Sequence, residues 1–398
     1  MKPALDKSQR NRPAGGPASH GFSLIELMVA MVIGTLVVLA ISMVMSTTEG
    51  RKRTLTSTND IDQSGAYAGY YLDKLVRSAG SGFFQASSSL GCNILATHGG
   101  SQILPAPAFG ASSPFQNVTQ STFQLTPVLA LPGEAAASGG SGANSDVLVV
   151  MEATNGNNAI PAPFNGVPTA TSLNLFNTVG ISPNDILLVD DPTTSGDCLI
   201  DQVSSAFAQS AGSGFLPLSG DWHTGNTFAA QPLDGMTVEG LAMDLGNYNQ
   251  GTPPLFELIG VGPNDTLYAE DLLNPDAGAV AVANGVLEMH ILYGIDATGA
   301  GVVTNWVSPA SYAGYTVKSS TVAGLANPAN IPNIKALRIG LILRTQLFEK
   351  DVVTKQSKIV LFADLPAALQ VTRNLTAAEQ HYRYRTLDFT IPLQNALQ

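Results

Sequence analysis

The sequence predicts an α+β fold: a long N-terminal helix packed on an antiparallel β-sheet with long loop insertions. Three observations predict it. No proline interrupts residues 22–79, short apolar runs between Gly, Ser and Pro fill most of the remainder, and three late segments alternate apolar with polar residues. The 39 glycines and 24 prolines suit a loop-rich β protein better than a helical bundle.

Residues 1–21 read as a basic leader, with Lys2, Lys7, Arg10 and Arg12 against Asp6 and with Pro3, Pro13 and Pro17 opposing helix. From Phe22 to Met45 the chain is apolar, and Glu26 is its single charge. At about 1.5 Å per residue this run reaches about 36 Å, enough to cross a hydrocarbon core of about 30 Å. A secretory signal has a shorter apolar region followed by a small-residue cleavage site. Residues 22–45 therefore read as the retained, membrane-spanning half of the helix. The leader cations favour a cytoplasmic N-terminus, while Arg51, Lys52 and Arg53 on the far side argue the other way.

Residues 46–79 read as the amphipathic half. Ile61, Gly65, Ala68, Leu72, Leu75 and Ala79 step by four and three, one small-or-apolar stripe along a helix. Residues 80–398 read as a β-rich globular domain outside the cytoplasm. DVLVVMEA (146–153), DILLVDD (185–191) and LFELIGV (255–261) are short apolar runs within it. In VLEMHILYGI (286–295), the alternation places Leu287, Met289, Ile291, Tyr293 and Ile295 on one face and His290 on the solvent side. Leu337, Ile339, Leu341 and Leu343 share a face in 334–344, as do Leu387, Phe389, Ile391 and Leu393 in 382–393. The Ile61–Ala79 stripe is the natural cover for that sheet. Segments 93–145 and 204–235 read as long loops or insertions.

Charge is distributed unevenly. No Lys or Arg occurs from Ser78 to Val317, a stretch holding 19 acids, whereas 318–398 has ten cations against five acids. A region without cations cannot clamp phosphates, which argues against nucleic acid as its partner. The expectation there is a solvated acidic surface. Calcium would use the same carboxylates, but no D-x-[DN]-x-[DN]-G loop occurs. Asp190, Asp191, Asp197 and Asp201 read as solvated loop acids rather than metal ligands.

No enzymatic constellation and no cofactor site stand out. His20, His98, His223, His290 and His381 are scattered, no G-x-S-x-G elbow occurs, and GVGPND and GAGVVT lack a third glycine and read as turns. Cys92 and Cys198 permit one disulfide, favoured outside the cytoplasm, with two buried thiols as the alternative. Such a bridge would close a loop of about a hundred residues, and chain entropy then assigns it up to about 4–5 kcal/mol.

The order basic leader, Gly21, Phe22-Ser-Leu-Ile-Glu26 and an apolar helix resembles the class III leader of type IV pilins and pseudopilins. That resemblance implies cleavage after Gly21 by prepilin peptidase, an N-methylated Phe22 as new N-terminus, and a role for Glu26 in assembly. An ionised acid in hydrocarbon costs several kcal/mol unless paired. The Phe22 amine of a neighbouring subunit, which exists only after cleavage, would supply the partner. Downstream, YLDKLVRSAGSGFF…GC (71–92), SDVLVVM (145–151), NDILLVDD…GDCLIDQV (184–203), VANGVLEMHILYGID (282–296), IKALRIGLILRT (334–345) and YRYRTLDFTIPLQN (382–395) resemble, in order, the PilW group of minor pilins. The resemblance implies a structural subunit that primes or caps pilus assembly, with other major and minor pilins as partners and inner-membrane lipid around the helix beforehand. The alternatives are a type II secretion pseudopilin of the GspJ kind and a tip adhesin using 93–145 and 204–235. The cation-free middle and the glycine-rich insertions depart from the group's pattern and leave the partner of that surface open.

Overall fold

The computed structural model describes residues 21–398 apart from 84–85, 87, 106, 108, 110–112, 117, 119–121, 136–144, 155–159, 195–196, 210–213, 312–327 and 398. Residues 1–20 of the 1–21 leader lie outside the described residues. The chain divides into two units, one up to Thr56 and one from Ser57.

The proline-free stretch forms a single helix, α1 (Leu24–Ser78). Its buried residues include Ile61, Gly65, Ala68, Leu72 and Leu75, the stripe expected from the 3.6-residue period. Gly65 lets the helix approach closely: a Cβ there would lie 2.9 Å from Leu387 Cδ1 and 3.1 Å from Leu343 Cδ1. Gly80, at φ 79°, takes the left-handed conformation that stops the helix. The carbonyls of Ser78 and Ala79 then accept hydrogen bonds from Asn395 Nδ2, so the chain's last residues cap the helix end.

Strands β14 (Val286–Ile295), β15 (Asn305–Val307), β16 (Ile334–Arg344) and β19 (Tyr384–Pro392) form an antiparallel sheet in the order β15-β14-β16-β19. A second antiparallel sheet contains β3 (Val128–Leu131), β4 (Val147–Glu152), β11 (Leu255–Gly262), β12 (Thr266–Asp271) and β13 (Val280–Asn284), ordered β13-β12-β11-β4-β3. The third has β1 (Asn93–His98), β2 (Ser101–Leu104), β5 (Ala162–Pro163), β7 (Ile186–Asp190), β8 (Asp197–Gln202) and β10 (Leu241–Gly246). Its order is β2-β1-β8-β7-β10-β5, and β1 pairs β8 in parallel. Two small ribbons complete the described fold: β6 (Ser172–Asn174) with β9 (Phe215–Pro217), and β17 (Lys358–Leu361) with β18 (Val371–Asn374).

The main core joins the α1 stripe to Met289, Ile291, Tyr293, Leu337, Ile339, Leu341, Leu343 and Ile391. A second cluster covers the other face of β7 and β8, and a third, around Leu287, Leu292, Ile342, Leu361 and Phe362, covers the other face of β14 and β16. Burial on both faces corrects the expectation of a one-sided sheet. A bulge between Val286 and Glu288 moves Leu287 off the face of Met289 and into the third cluster. His290 is buried rather than exposed: its Nε2 lies 3.2 Å from Glu288 Oε2 and its Nδ1 3.9 Å from Asp146 Oδ2. Arg373 of β18 closes this group by pairing with Glu288 and, at 2.5 Å, with Glu379. The segments expected as loops also contain strands, β1 to β3 within 93–145 and β9 within 204–235.

The acidic middle is corrected too. Eleven of its 19 acids are buried, including Asp190, Asp191 and Asp201. Neutral donors hold most of them. Asp191 accepts from Thr193 N at 2.9 Å, Thr193 Oγ1 at 2.6 Å and Thr237 N at 2.6 Å. Asp296 accepts from the backbone N–H groups of Thr298, Gly299 and Gly301 at 3.0, 2.8 and 2.6 Å. Although loss of hydration opposes it, this nest of N–H donors draws Asp296 down to about 2. Asp190 has less help. Its Oδ2 is buried without a hydrogen-bond partner, and burial, with Asp191 adjacent, pushes its carboxyl up to about 6.

Candidate processing and assembly site

Gly21, Phe22 and Ser23 precede α1, and Phe22 is 82% exposed. The Ser23 carbonyl accepts from Leu27 N at 3.1 Å, the first i to i−4 bond of the helix. Ser23 thus stands at the N-cap and Glu26 three positions on, the spacing S-x-x-E of a capping box. A carboxylate in the first turn also faces the positive end of the helix dipole. Within one subunit, then, the spacing Ser23-Leu-Ile-Glu26 suits a helix start, a local signal that the sequence reading missed.

Beyond Glu26, Leu27–Thr48 is free of charge, and α1 is long and apolar enough to cross a membrane. Its side chains from Leu24 to Arg53 are exposed. The threonine hydroxyls in this stretch turn back on their own helix: Thr35 Oγ1 donates to Val32 O at 2.9 Å, and Thr48 Oγ1 to Val44 O at 2.7 Å. Such self-satisfaction is what a lipid surrounding requires of polar groups.

The structure therefore brings Gly21, Phe22 and Glu26 into one short segment. The cysteines belong to the other unit. Cys92 and Cys198 form a disulfide with Cα atoms 5.7 Å apart. It pins the start of β1 beside β8, where Ile94 aligns with Cys198. The described residues hold no group of three or more His, Cys, Asp or Glu side chains placed to bind a metal. His223 Nδ1 lies 2.7 Å from Asp201 Oδ1, and Asp201 Oδ2 accepts from Gly225 N at 3.0 Å, an arrangement that ties one loop to β8.

Two family models match the chain. The prokaryotic N-terminal methylation motif matches residues 17–46, the segment containing Gly21, Phe22 and Glu26. The type IV pilus-assembly protein W family, PilW, matches residues 260–395, which contain β12 to β19. No curated protein and no solved structure matches the chain. The methylation motif at the head of a long apolar helix, and the similarity of residues 260–395 to PilW, together support a type IV pilin-like role in pilus assembly.

Proposed function

We propose that the chain is a minor pilin, cut by prepilin peptidase between Gly21 and Phe22 and held in the inner membrane by 22–45 until it enters a filament. In this reading the leader stays cytoplasmic, 46–79 is the amphipathic half of the helix, and 80–398 folds outside the cytoplasm. Phe22, freed and methylated, supplies an amine, and Glu26 supplies the carboxylate that pairs with the same amine on an adjacent subunit. The partners are other major and minor pilins, and the role is priming or capping the filament, on which adhesion or twitching then depends. The reading is of a structural subunit, not an enzyme.

The observation that carries it is the placement of Glu26 in the first turn of an exposed helix otherwise uncharged to Thr48. Within hydrocarbon that carboxylate is stable only with a partner. The test is the mass of the mature N-terminal peptide. Methylated Phe22 is expected, and an intact Met1 or a cut near Met45 would refute the reading. Loss of pili and twitching on gene deletion, with exoprotein secretion unchanged, is the expected distinction from a secretion pseudopilin.

A further inference from the structure

The unit from Ser57 has an open sheet edge. β13 is outermost in its sheet, paired with β12 on one side and, among the described residues, with no strand on the other. Its sequence, VAVAN, has no charge and no proline, and Val280 is 63% exposed. Sheet edges are ordinarily blocked by Lys, Pro, inward charges or a covering element. The long stretch without cations supplies no Lys here.

Beside the edge runs a groove. Two cavities of about 300 and 270 Å³ lie between α1 and the β13 region, and they share Gln63, Ser64 and Asn284. Along the helix they extend from Ser57 to Tyr67, about 15 Å at the helical rise. Extended chain advances about 3.3 Å per residue, so the groove has room for four or five residues, roughly the length of β13. The shared wall is hydroxyl and amide. At one end Asp60 has no ion-pair partner among the described residues, because Arg344, the cation nearby, is bound to Asp265. An α-helix has its main chain already paired, so it does not bond to the edge.

We propose that the groove receives an extended segment of another pilin subunit, added as a strand to β13 with a Lys or Arg of that segment against Asp60. Main-chain bonds to β13 supply the affinity, and the confined space beside Ser64 and Gln63 selects small side chains. This inference rests on the pilin reading above. The test compares amide hydrogen exchange of the chain in sheared filaments with the same full chain solubilised in detergent. Amides within 280–284 are expected to exchange at least tenfold more slowly in filaments. Ser64→Trp, which fills the groove, is expected to abolish that protection and lower incorporation while β14 and β16 keep wild-type exchange. Should that variant disturb β14 or β16, Asp60→Lys at the exposed mouth is expected to give the same loss. Equal exchange at 280–284 in filaments and detergent overturns the inference and leaves the pilin reading standing, as does protection that survives both variants. Absence of the chain from filaments overturns the pilin reading and this inference with it.

Discussion

Replacing Asp190 with Asn tests how the buried carboxylates shape stability. Asp190 ends β7, opposite Cys198, and is 1% exposed. Burial disfavours its ionised form and, with Asp191 adjacent, raises the carboxyl from the ordinary 3.8 to about 6. A folded-state value above the unfolded one means the native protein holds this proton more tightly. The resulting stability is fully present below pH 3.8 and is lost as pH rises through about 6. At about 1.4 kcal/mol per tenfold change, the interval corresponds to roughly 3 kcal/mol as an upper bound. Asn has nearly the same shape and does not titrate. Asp190→Asn should therefore gain up to about 3 kcal/mol over wild type between pH 4 and pH 7.5. Denaturant unfolding of the processed full chain in detergent, followed by Trp222 and Trp306 fluorescence, measures this difference. An equal effect of the substitution at both pH values would refute the reasoning, since Asp190 would then carry no unfavourable charge in the native state.

Three further outcomes follow from the same structure. Glu26→Gln keeps the S-x-x-[EQ] spacing but removes the charge, so cleavage and helix content should persist while incorporation into filaments falls; normal incorporation would show that the charge of Glu26 is not needed for assembly. Gly82 has φ 82°, and a Cβ there would lie 2.4 Å from Ala153 Cβ, so Gly82→Ala should destabilise the unit from Ser57 by about 2–3 kcal/mol in denaturant titration. Replacing Cys92 and Cys198 together with Ala should lower stability by about 4–5 kcal/mol on the chain-entropy account, and an unfolding midpoint indifferent to both the substitution and reductant would contradict it.

The parts of the fold that the sequence made legible were those with their own period. The α1 stripe follows 3.6-residue spacing without proline, and β16 and β19 present Leu337 to Leu343 and Leu387 to Leu393 to the core as alternation requires. Alternation could not reveal the second cover. His290 looked solvent-facing because period two distinguishes faces but does not say what lies over the outer one. The β17–β18 ribbon and Arg373 come from 68 or more residues downstream of His290. The buried acids were misread because charge counting ignores donors. Asp191 and Asp296 each have Thr two residues on, and both Thr hydroxyls bond back to the carboxylate. That D-x-T spacing was the available local signal for a turn-forming acid. At the candidate site the motif Gly21 to Glu26 was fully legible, whereas the groove beside β13 was not. It arises from helix and strand residues more than 200 positions apart.

The cap that Asn395 places on the end of α1 also sets an order in time. A ribosome makes Ser78 317 residues before Asn395, which finishes the C-terminal end of the helix. Until β19 and Asn395 emerge, Ala68, Leu72 and the Ser78 and Ala79 carbonyls lack their native neighbours. That flank of the apolar stripe therefore stays open while the intervening residues are made. A subunit lacking β19 and Asn395 would carry a bare helix flank at the element that the pilin reading assigns to filament assembly.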